Sequence, residues 1–165
     1  MKTLLILRHA KSSWDNPQLS DYDRPLNKRG KRDAPRIGKH LREHGLIPDR
    51  ILTSSAKRAR KTATKVAKSC GYTAKIKRLD GFYLAPPGVY IEKLQALSNK
   101  YERVMVVGHN PTMEQLLRHL TGQIERMPTA ALAHIELPIQ NWEAFDFSTR
   151  GTLANLWTPK TLFKD

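Results

Sequence analysis

The stretch LILRHAKSSWDN, residues 5–16, decides the fold and raises the question of function. An apolar run, Leu4–Leu7, stops abruptly at Arg8 and His9. Short apolar runs of this kind are typical of a buried strand in a parallel sheet. Residues that follow such a strand lie at the carboxyl edge of the sheet, where α/β proteins bind their ligands. The cation and the imidazole are therefore candidate functional groups.

Apolar runs and helical patterns alternate along the rest of the chain. Strands are predicted at Lys2–Leu7, Arg50–Thr53, Ala74–Leu79, Arg103–Gly108, Ala131–Leu137 and Trp142–Phe147. Helical patterns cover 27–44, where Pro35 predicts a kink or a late start, 56–70, 89–97 and a segment opened by Asn110 as cap with Pro111 behind it. This alternation predicts an α/β protein, a three-layer α/β/α sandwich with a mostly parallel central sheet. The length suits one domain over residues 1–165.

Positive charge is concentrated in one part of the chain. The net charge is +14, and residues 24–78 hold 18 Lys or Arg against 3 Asp or Glu. A positive field favours anionic partners, which include phosphorylated small molecules, phosphorylated proteins and nucleic acid. A solvated basic face that only aids solubility is the alternative.

The composition also bears on the compartment. No apolar run approaches the ~20 residues of a membrane helix, and the N-terminal run is shorter than the ~7–15 residues of a signal-peptide core. The single cysteine, Cys70, cannot form an internal disulfide, which agrees with a reducing compartment. We expect a cytoplasmic protein without a membrane partner.

Two further predicted strands lead into the same kinds of side chain. ILTSS, residues 51–55, is followed by Arg58, and VMVVGHN, residues 104–110, contains His109. Two arginines and two histidines thus reach one sheet edge from three segments. One guanidinium group can donate two parallel hydrogen bonds to phosphate oxygens, and a neutral imidazole can act as a nucleophile. The pattern predicts an anion pocket suited to phosphoryl transfer, which needs mainly positioning and charge neutralisation and here requires no metal.

Three motifs carry a resemblance to a known family. LRHAKSSW near the N-terminus, LTSSAKRARKTA at residues 52–63 and VVGHNP at residues 106–111 resemble the histidine phosphatase superfamily, which has the phosphoglycerate-mutase-like fold. The resemblance covers residues 1–120. The short chain, together with DRPLNKRG and YLAPPG, is most similar to the SixA-type branch of phosphohistidine phosphatases.

The resemblance implies a role for each matching residue. His9 matches the nucleophile that is transiently phosphorylated. Arg8 and Arg58 match the arginines that hold the phosphate. His109 matches the second histidine, which hydrogen-bonds the transferring phosphoryl group.

Other positions match less closely. Ser12 lies where mutase-like members place a serine near the phosphate. Asn16 is a further phosphate-binding candidate, although the mutase-like spacing would put an asparagine at position 15, which is Asp15 here. The family's usual RHG is RHA in this chain, a small change if Ala10 can adopt the required backbone angles.

The general acid of mutase-like members has no clear counterpart. In LDGFYLAPPGVYIE, residues 79–92, the carboxylates are Asp80 and Glu92, and neither lies in an acid motif. An alkoxide leaving group needs a proton, whereas imidazole leaves a phosphoramidate more readily. We therefore expect protein phosphohistidine as the substrate, with a small phosphorylated metabolite as the alternative.

Two competing motifs point to other functions. HLREH, residues 40–44, matches a zinc-protease pattern, but no third ligand follows it, so we expect neither a metal nor a cofactor. KRGKR and KRARK suit phosphate contacts, and a basic nucleic-acid-binding module is the lower-ranked alternative. No aromatic residues are interleaved with these basic runs, and no nucleic-acid motif is present, which argues against it.

Overall fold

The central sheet has six strands in a computed structural model that describes residues 1–163. The strands are β1 (Lys2–Arg8), β2 (Arg50–Ser54), β3 (Lys77–Leu79), β4 (Arg103–Gly108), β5 (Leu132–Leu137) and β6 (Thr152–Trp157). Their order across the sheet is β3-β2-β4-β1-β5-β6. The first four run parallel, and β5 and β6 are added antiparallel. The carboxyl ends of β1, β2 and β4 therefore share one edge.

Helices cover both faces of the sheet. They are α1 (Lys28–Glu43), α2 (Lys57–Cys70), α3 (Pro87–Gln95), α4 (Thr112–Thr121) and the short α5 (Pro159–Leu162). Alternate side chains of β1 point to opposite faces, so Leu5 and Leu7 pack with α1 and α2. Leu4 and Ile6 pack with α3 and α4. The predicted three-layer α/β/α arrangement with a mostly parallel sheet is confirmed. Among the described residues, no helix is long and apolar enough to cross a membrane.

One predicted strand is wrong. The segment expected as a strand, Trp142–Phe147, contains a short 3-10 helix at Trp142–Ala144 instead. Trp142 and Phe145 are fully buried, and the Trp142 indole donates a 2.6 Å hydrogen bond to the Tyr101 carbonyl. These apolar residues are spaced as they are because both are buried at a turn, and not because side chains alternate along a strand. The last strand is β6, which was not predicted.

One alternative given for the first helix is wrong, and the start of α4 differs from expectation. The first helix begins at Lys28, where the Asn27 side chain accepts from the Gly30 amide, and it continues through Pro35, so a late start is wrong. The α4 helix begins at Thr112, with no side-chain cap. Asn110 does not cap it, because its amide donates to the Met127 carbonyl at 2.8 Å.

Candidate active site

Four predicted residues meet at the carboxyl edge of the sheet. Arg8 ends β1 and His9 follows it, Arg58 lies in the first turn of α2, and His109 follows β4. The two imidazole rings lie 5.2 Å apart between centroids, and both residues are less than a tenth exposed. The sheet brings these groups together because β1 and β4 are hydrogen-bonded neighbours in register, with Arg8 opposite Gly108.

The ring of His9 is held in one tautomer. Its Nδ1 lies 2.8 Å from the carbonyl oxygen of Ala10, which can only accept, so Nδ1 carries the proton and Nε2 keeps its lone pair. Burial lowers the pKa of His9 to about 3; the hydrogen bond to Ala10 opposes this shift, and the positive charges of Arg58 and Arg8 add to it. The ring is therefore neutral at physiological pH and can act as a nucleophile.

A hydrogen-bonded relay fixes the backbone beside this ring. The amide of Ala10 donates to the Thr62 hydroxyl at 2.9 Å, and that hydroxyl donates to the Arg58 carbonyl at 2.7 Å. Thr62 thus ties the segment after β1 to α2. The α1 helix also approaches closely, since a Cβ added to Gly30 would lie 2.1 Å from the Lys11 carbonyl oxygen. Only glycine allows this approach.

His109 is oriented by a serine that the sequence analysis missed. Its Nε2 lies 2.8 Å from Ser54 Oγ, which also accepts from the Ala56 amide at 3.3 Å. If the serine donates its one proton to Nε2, the hydrogen of His109 lies on Nδ1. That Nδ1 is buried without a hydrogen-bond partner among the described residues. Burial, reinforced by Arg58, lowers the pKa of His109 to about 4, so this ring is also neutral. An unpaired Nδ1–H can donate to an anion.

Asp21 holds the guanidinium of Arg58. Arg58 Nη1 donates to the Asp21 carbonyl at 2.6 Å, and Nη2 donates to Asp21 Oδ2 at 2.9 Å. The same oxygen accepts from the Tyr83 hydroxyl at 2.6 Å. Partial burial acts to raise the pKa of the Asp21 carboxyl, but these two hydrogen bonds and the charges of Arg58 and Arg24 lower it. The carboxylate is therefore ionised and cannot serve as a proton donor at neutral pH.

Arg8 is anchored to the segment before β5. Its Nη1 donates to the Met127 carbonyl at 3.1 Å, the same oxygen that accepts from Asn110. Glu114 accepts from the Met127 amide at 2.7 Å and places a negative charge near Arg8. The Nε of Arg8 is buried and has no partner among the described residues, so it remains able to donate to an anion.

The two phosphate-binding candidates differ in placement. Ser12 is buried, and its Oγ accepts from Arg24, which in turn donates to Asp21 at 3.2 Å. Asn16 is exposed, and its side chain accepts from the Gln18 amide at 3.0 Å in a local turn. The structure joins Ser12 to the Arg58 network and gives Asn16 no contact with it.

Known proteins show the same architecture. Residues 4–82 match the family model for the histidine phosphatase superfamily, branch 1. SixA of Agrobacterium tumefaciens is 30% identical, with a TM-score of 0.82 over 96% of this chain and 98% of that one. The chain belongs to the histidine phosphatase superfamily. A protein histidine phosphatase SixA solved with tungstate is 26% identical, with a TM-score of 0.83 over 97% of this chain and 99% of that one. An uncharacterised chloroplastic protein of Arabidopsis thaliana is 35% identical over 91% of this chain and 73% of its own length.

These relatives place the protein in the SixA-type branch, and it is a phosphatase that acts on phosphorylated substrates. Its departure from the usual RHG is accommodated, because Ala10 has no left-handed backbone conformation. The glycine before His109 is required, since a Cβ on Gly108 would lie 2.2 Å from the Tyr90 hydroxyl. The carboxylates considered as acids in this phosphatase, Asp80 and Glu92, are both exposed.

Several residues around the pocket of this phosphatase were not predicted from the sequence. Asp21, Ser54 and Glu114 each contact a predicted site residue or lie close to one. The Asp21 contact joins residues 37 apart in the chain, and the Ser54 contact joins residues 55 apart. A signal was present for Ser54 only, because it ends a buried strand at the functional edge.

Proposed function

We propose that this phosphatase hydrolyses phosphohistidine on proteins through a phosphorylated His9, without a metal ion. The observation that carries the proposal is the neutral His9 ring, locked by the Ala10 carbonyl with Nε2 unprotonated, among Arg8, Arg58 and His109. A nucleophile and three groups able to neutralise or bind phosphoryl oxygens are thus supplied by the chain itself.

In the first step, the Nε2 lone pair of His9 attacks phosphorus. The new bond is N–P, and the bond that breaks joins phosphorus to the substrate imidazole. When that imidazole is protonated on its other nitrogen, it leaves as a neutral ring and takes the bonding pair. Arg8, Arg58 and the Nδ1–H of His109 would stabilise the charge on the phosphoryl oxygens, a role in which fixed donors are most effective.

In the second step, water attacks the phosphorus of phosphorylated His9. The P–O bond forms, the P–N bond to His9 breaks, and the bonding pair returns to Nε2. One proton from water stays on the released phosphate, and the other either stays there as well or passes to solvent. The Ala10 carbonyl holds the Nδ1 proton throughout, so the ring leaves in the tautomer in which it began.

The carboxylate that contacts Arg58 offers no proton to a leaving group, and this favours phosphohistidine over an alkyl phosphate. The Asp21 carboxylate beside Arg58 is ionised, and its partners are cations and a tyrosine hydroxyl. An alkoxide would have to leave as an anion, because no proton is donated to it. A substrate imidazole that is already protonated on its other nitrogen leaves as a neutral ring. The two SixA proteins with the same fold support this choice by their names, and one of them was solved with tungstate, a tetrahedral oxyanion.

A small phosphorylated metabolite is the second candidate. The excess charge between residues 24 and 78 lies largely on α1 and α2, and such a field attracts small phosphates as well as phosphoproteins. The family relationship favours either enzyme over a basic nucleic-acid-binding module.

The test measures phosphate release from a phosphohistidine peptide and from p-nitrophenyl phosphate, both with excess EDTA. The proposal predicts EDTA-resistant release from both, with kcat/KM at least tenfold higher for the peptide. A preference for p-nitrophenyl phosphate would favour the metabolite. Loss of activity in EDTA that returns with added metal would contradict the metal-free mechanism.

A further inference from the structure

We infer that a groove beside the reaction pocket binds a segment of the phosphorylated protein substrate that carries apolar and acidic side chains. The inference rests on the proposed function, because it names how a protein substrate would be recognised. The groove encloses about 750 Å³ and lies between the start of α3, the exposed face of α4 and the 147–150 segment.

The lining of the groove combines apolar surface with positive charge. Its floor includes Pro86, Gly88 and Phe147, and Phe147 is 58% exposed. Arg118 and Arg150 flank it, and none of the lining residues carries a carboxylate. Exposed apolar surface next to uncompensated cations favours a partner with apolar anchors and acidic neighbours.

The Phe147 ring is held open to solvent by its neighbours. The His119 Nε2 donates to the Phe147 carbonyl at 2.7 Å, and the two rings meet edge to face at 5.3 Å. Arg150 donates to the same carbonyl at 2.8 Å. On its other side, Phe147 packs so closely on Gly88 that an added Cβ would lie 2.8 Å from the ring. A rigid aromatic presented in this way is a typical anchor site for a protein partner.

A short backbone path joins the groove to the reaction pocket. Tyr83 contacts both Asp21 and the His109 ring, and Pro86 of the groove follows it by three residues, at most about 10 Å of chain. Between them, Leu84 is 79% exposed and adopts a φ of 56°, an uncommon conformation for a leucine. A protein substrate whose phosphohistidine occupies the pocket would pass over Leu84 to reach the groove.

The dimensions favour a chain segment over an isolated phosphate. Groove residues on α4 extend from Gln115 to its end at Gly122, roughly 10 Å of helix. A peptide of eight extended residues spans up to about 26 Å. This is more than the chain path from Tyr83 to Pro86 and the length of the groove along α4 taken together.

The test compares two synthetic phosphohistidine peptides with p-nitrophenyl phosphate. In both peptides, a Gly-Ser spacer of eight residues joins the phosphohistidine to an end group, Leu-Glu-Phe-Glu in one and Ser-Lys-Ser-Lys in the other. Wild type is expected to favour the acidic apolar peptide at least tenfold in kcat/KM. Arg118→Glu and Phe147→Ser are expected to abolish this preference and to leave p-nitrophenyl phosphate hydrolysis within twofold of wild type. Arg42→Glu, an exposed charge on α1 in the opposite layer, is the matched control and should keep the preference.

Each other outcome counts against a defined claim. Equal hydrolysis of the two peptides by wild type, or variants that keep the preference, would overturn the groove inference and leave the proposed function intact. Variants that lose activity on all three substrates would also overturn it, because the groove residues would then act on folding or on the pocket. Wild type that hydrolyses p-nitrophenyl phosphate but neither peptide would refute protein phosphohistidine as substrate, and the groove inference with it.

Discussion

Asp21 accepts two hydrogen bonds from the guanidinium of Arg58, one through its backbone carbonyl at 2.6 Å and one through its carboxylate at 2.9 Å. The carboxylate is half-exposed, while the arginine is buried. The pair therefore fixes the direction of a cation near the two imidazole rings, and the proposed function assigns its remaining guanidinium hydrogens to the phosphoryl group.

Asp21→Ala tests whether this contact positions Arg58. The truncation removes the carboxylate contact and keeps the carbonyl contact, so we expect kcat to fall about tenfold, equivalent to ~1.4 kcal/mol. Asp21→Asn keeps an oxygen acceptor and should stay within about threefold of wild type. Steady-state kinetics with p-nitrophenyl phosphate check both values. If kcat fell as much in Asp21→Asn as in Asp21→Ala, the negative charge of Asp21 would matter rather than the positioning of Arg58.

Arg58→Ala should cost much more than removal of its partner. It deletes a fixed donor at the phosphoryl group, a change that costs ~3 kcal/mol in preorganised sites, or roughly 100-fold in kcat/KM. Arg60→Ala, two residues along α2 and half-exposed, is the matched control and should lie within twofold of wild type. Comparable losses in the two variants would show a general effect of charge instead of a specific contact.

Ser54→Ala examines the orientation of His109. Without the hydroxyl, Nε2 of His109 loses its described partner, and the contact that orients the ring is removed. We expect kcat to fall about tenfold while KM changes less than threefold, because the donor acts mainly in the transition state. Thr53→Val removes the neighbouring buried hydroxyl, which bonds only the Ser54 carbonyl among its described contacts, and should leave kcat unchanged. An unchanged kcat in Ser54→Ala would remove the serine from the account.

The two buried imidazoles make the fold sensitive to acid. Burial lowers the pKa of His9 to about 3 and that of His109 to about 4, against 6.5 in the unfolded chain. Below pH 6.5 the unfolded chain binds protons that the folded chain does not, so the free energy of unfolding falls as the pH falls. The stability that the two neutral rings contribute is complete above pH 6.5. As the pH falls, it is lost down to about pH 4 for His109 and about pH 3 for His9, by at most about 1.4 kcal/mol per pH unit for each histidine.

Urea denaturation between pH 4.5 and 7.5 measures this slope. His9→Asn should flatten it by one histidine's share, and His9→Asn combined with His109→Asn should flatten it by about twice as much. Parallel slopes in wild type and both variants would show that the rings titrate normally in the folded protein.

The sequence predicted most of what lies in the buried part of the sheet. β4 matches its predicted bounds, Arg103–Gly108, and β1 extends one residue beyond its prediction, because apolar runs record burial on both faces. The strands at the edges of the sheet were harder to predict. β3 covers only Lys77–Leu79 of the six residues predicted, and β6 is largely exposed, so neither has a continuous apolar pattern.

The candidate site shows the same division. Four residues could be found because each ends a buried strand, follows one or lies in the first turn of the helix after one: Arg8, His9, Arg58 and His109. Asp21 could not, since it lies in a polar loop and acquires its place only through contacts with distant Arg58 and Tyr83. Residues 79–92 supply no acid near the arginines for a related reason. The carboxylates near Arg58 and Arg8 belong to Asp21 and Glu114, which lie in another loop and another helix.

The most direct test of the account is to trap phosphate on His9. Enzyme mixed with ³²P-labelled phosphohistidine peptide in EDTA is quenched in alkali within the first turnover, digested and mapped, because a phosphoramidate survives base and is lost in acid. We expect label on the peptide containing residues 8–11, stable in base and lost in acid, with neither label nor turnover in His9→Asn. Turnover in that variant at the wild-type rate, or label on another residue, would contradict the central claim.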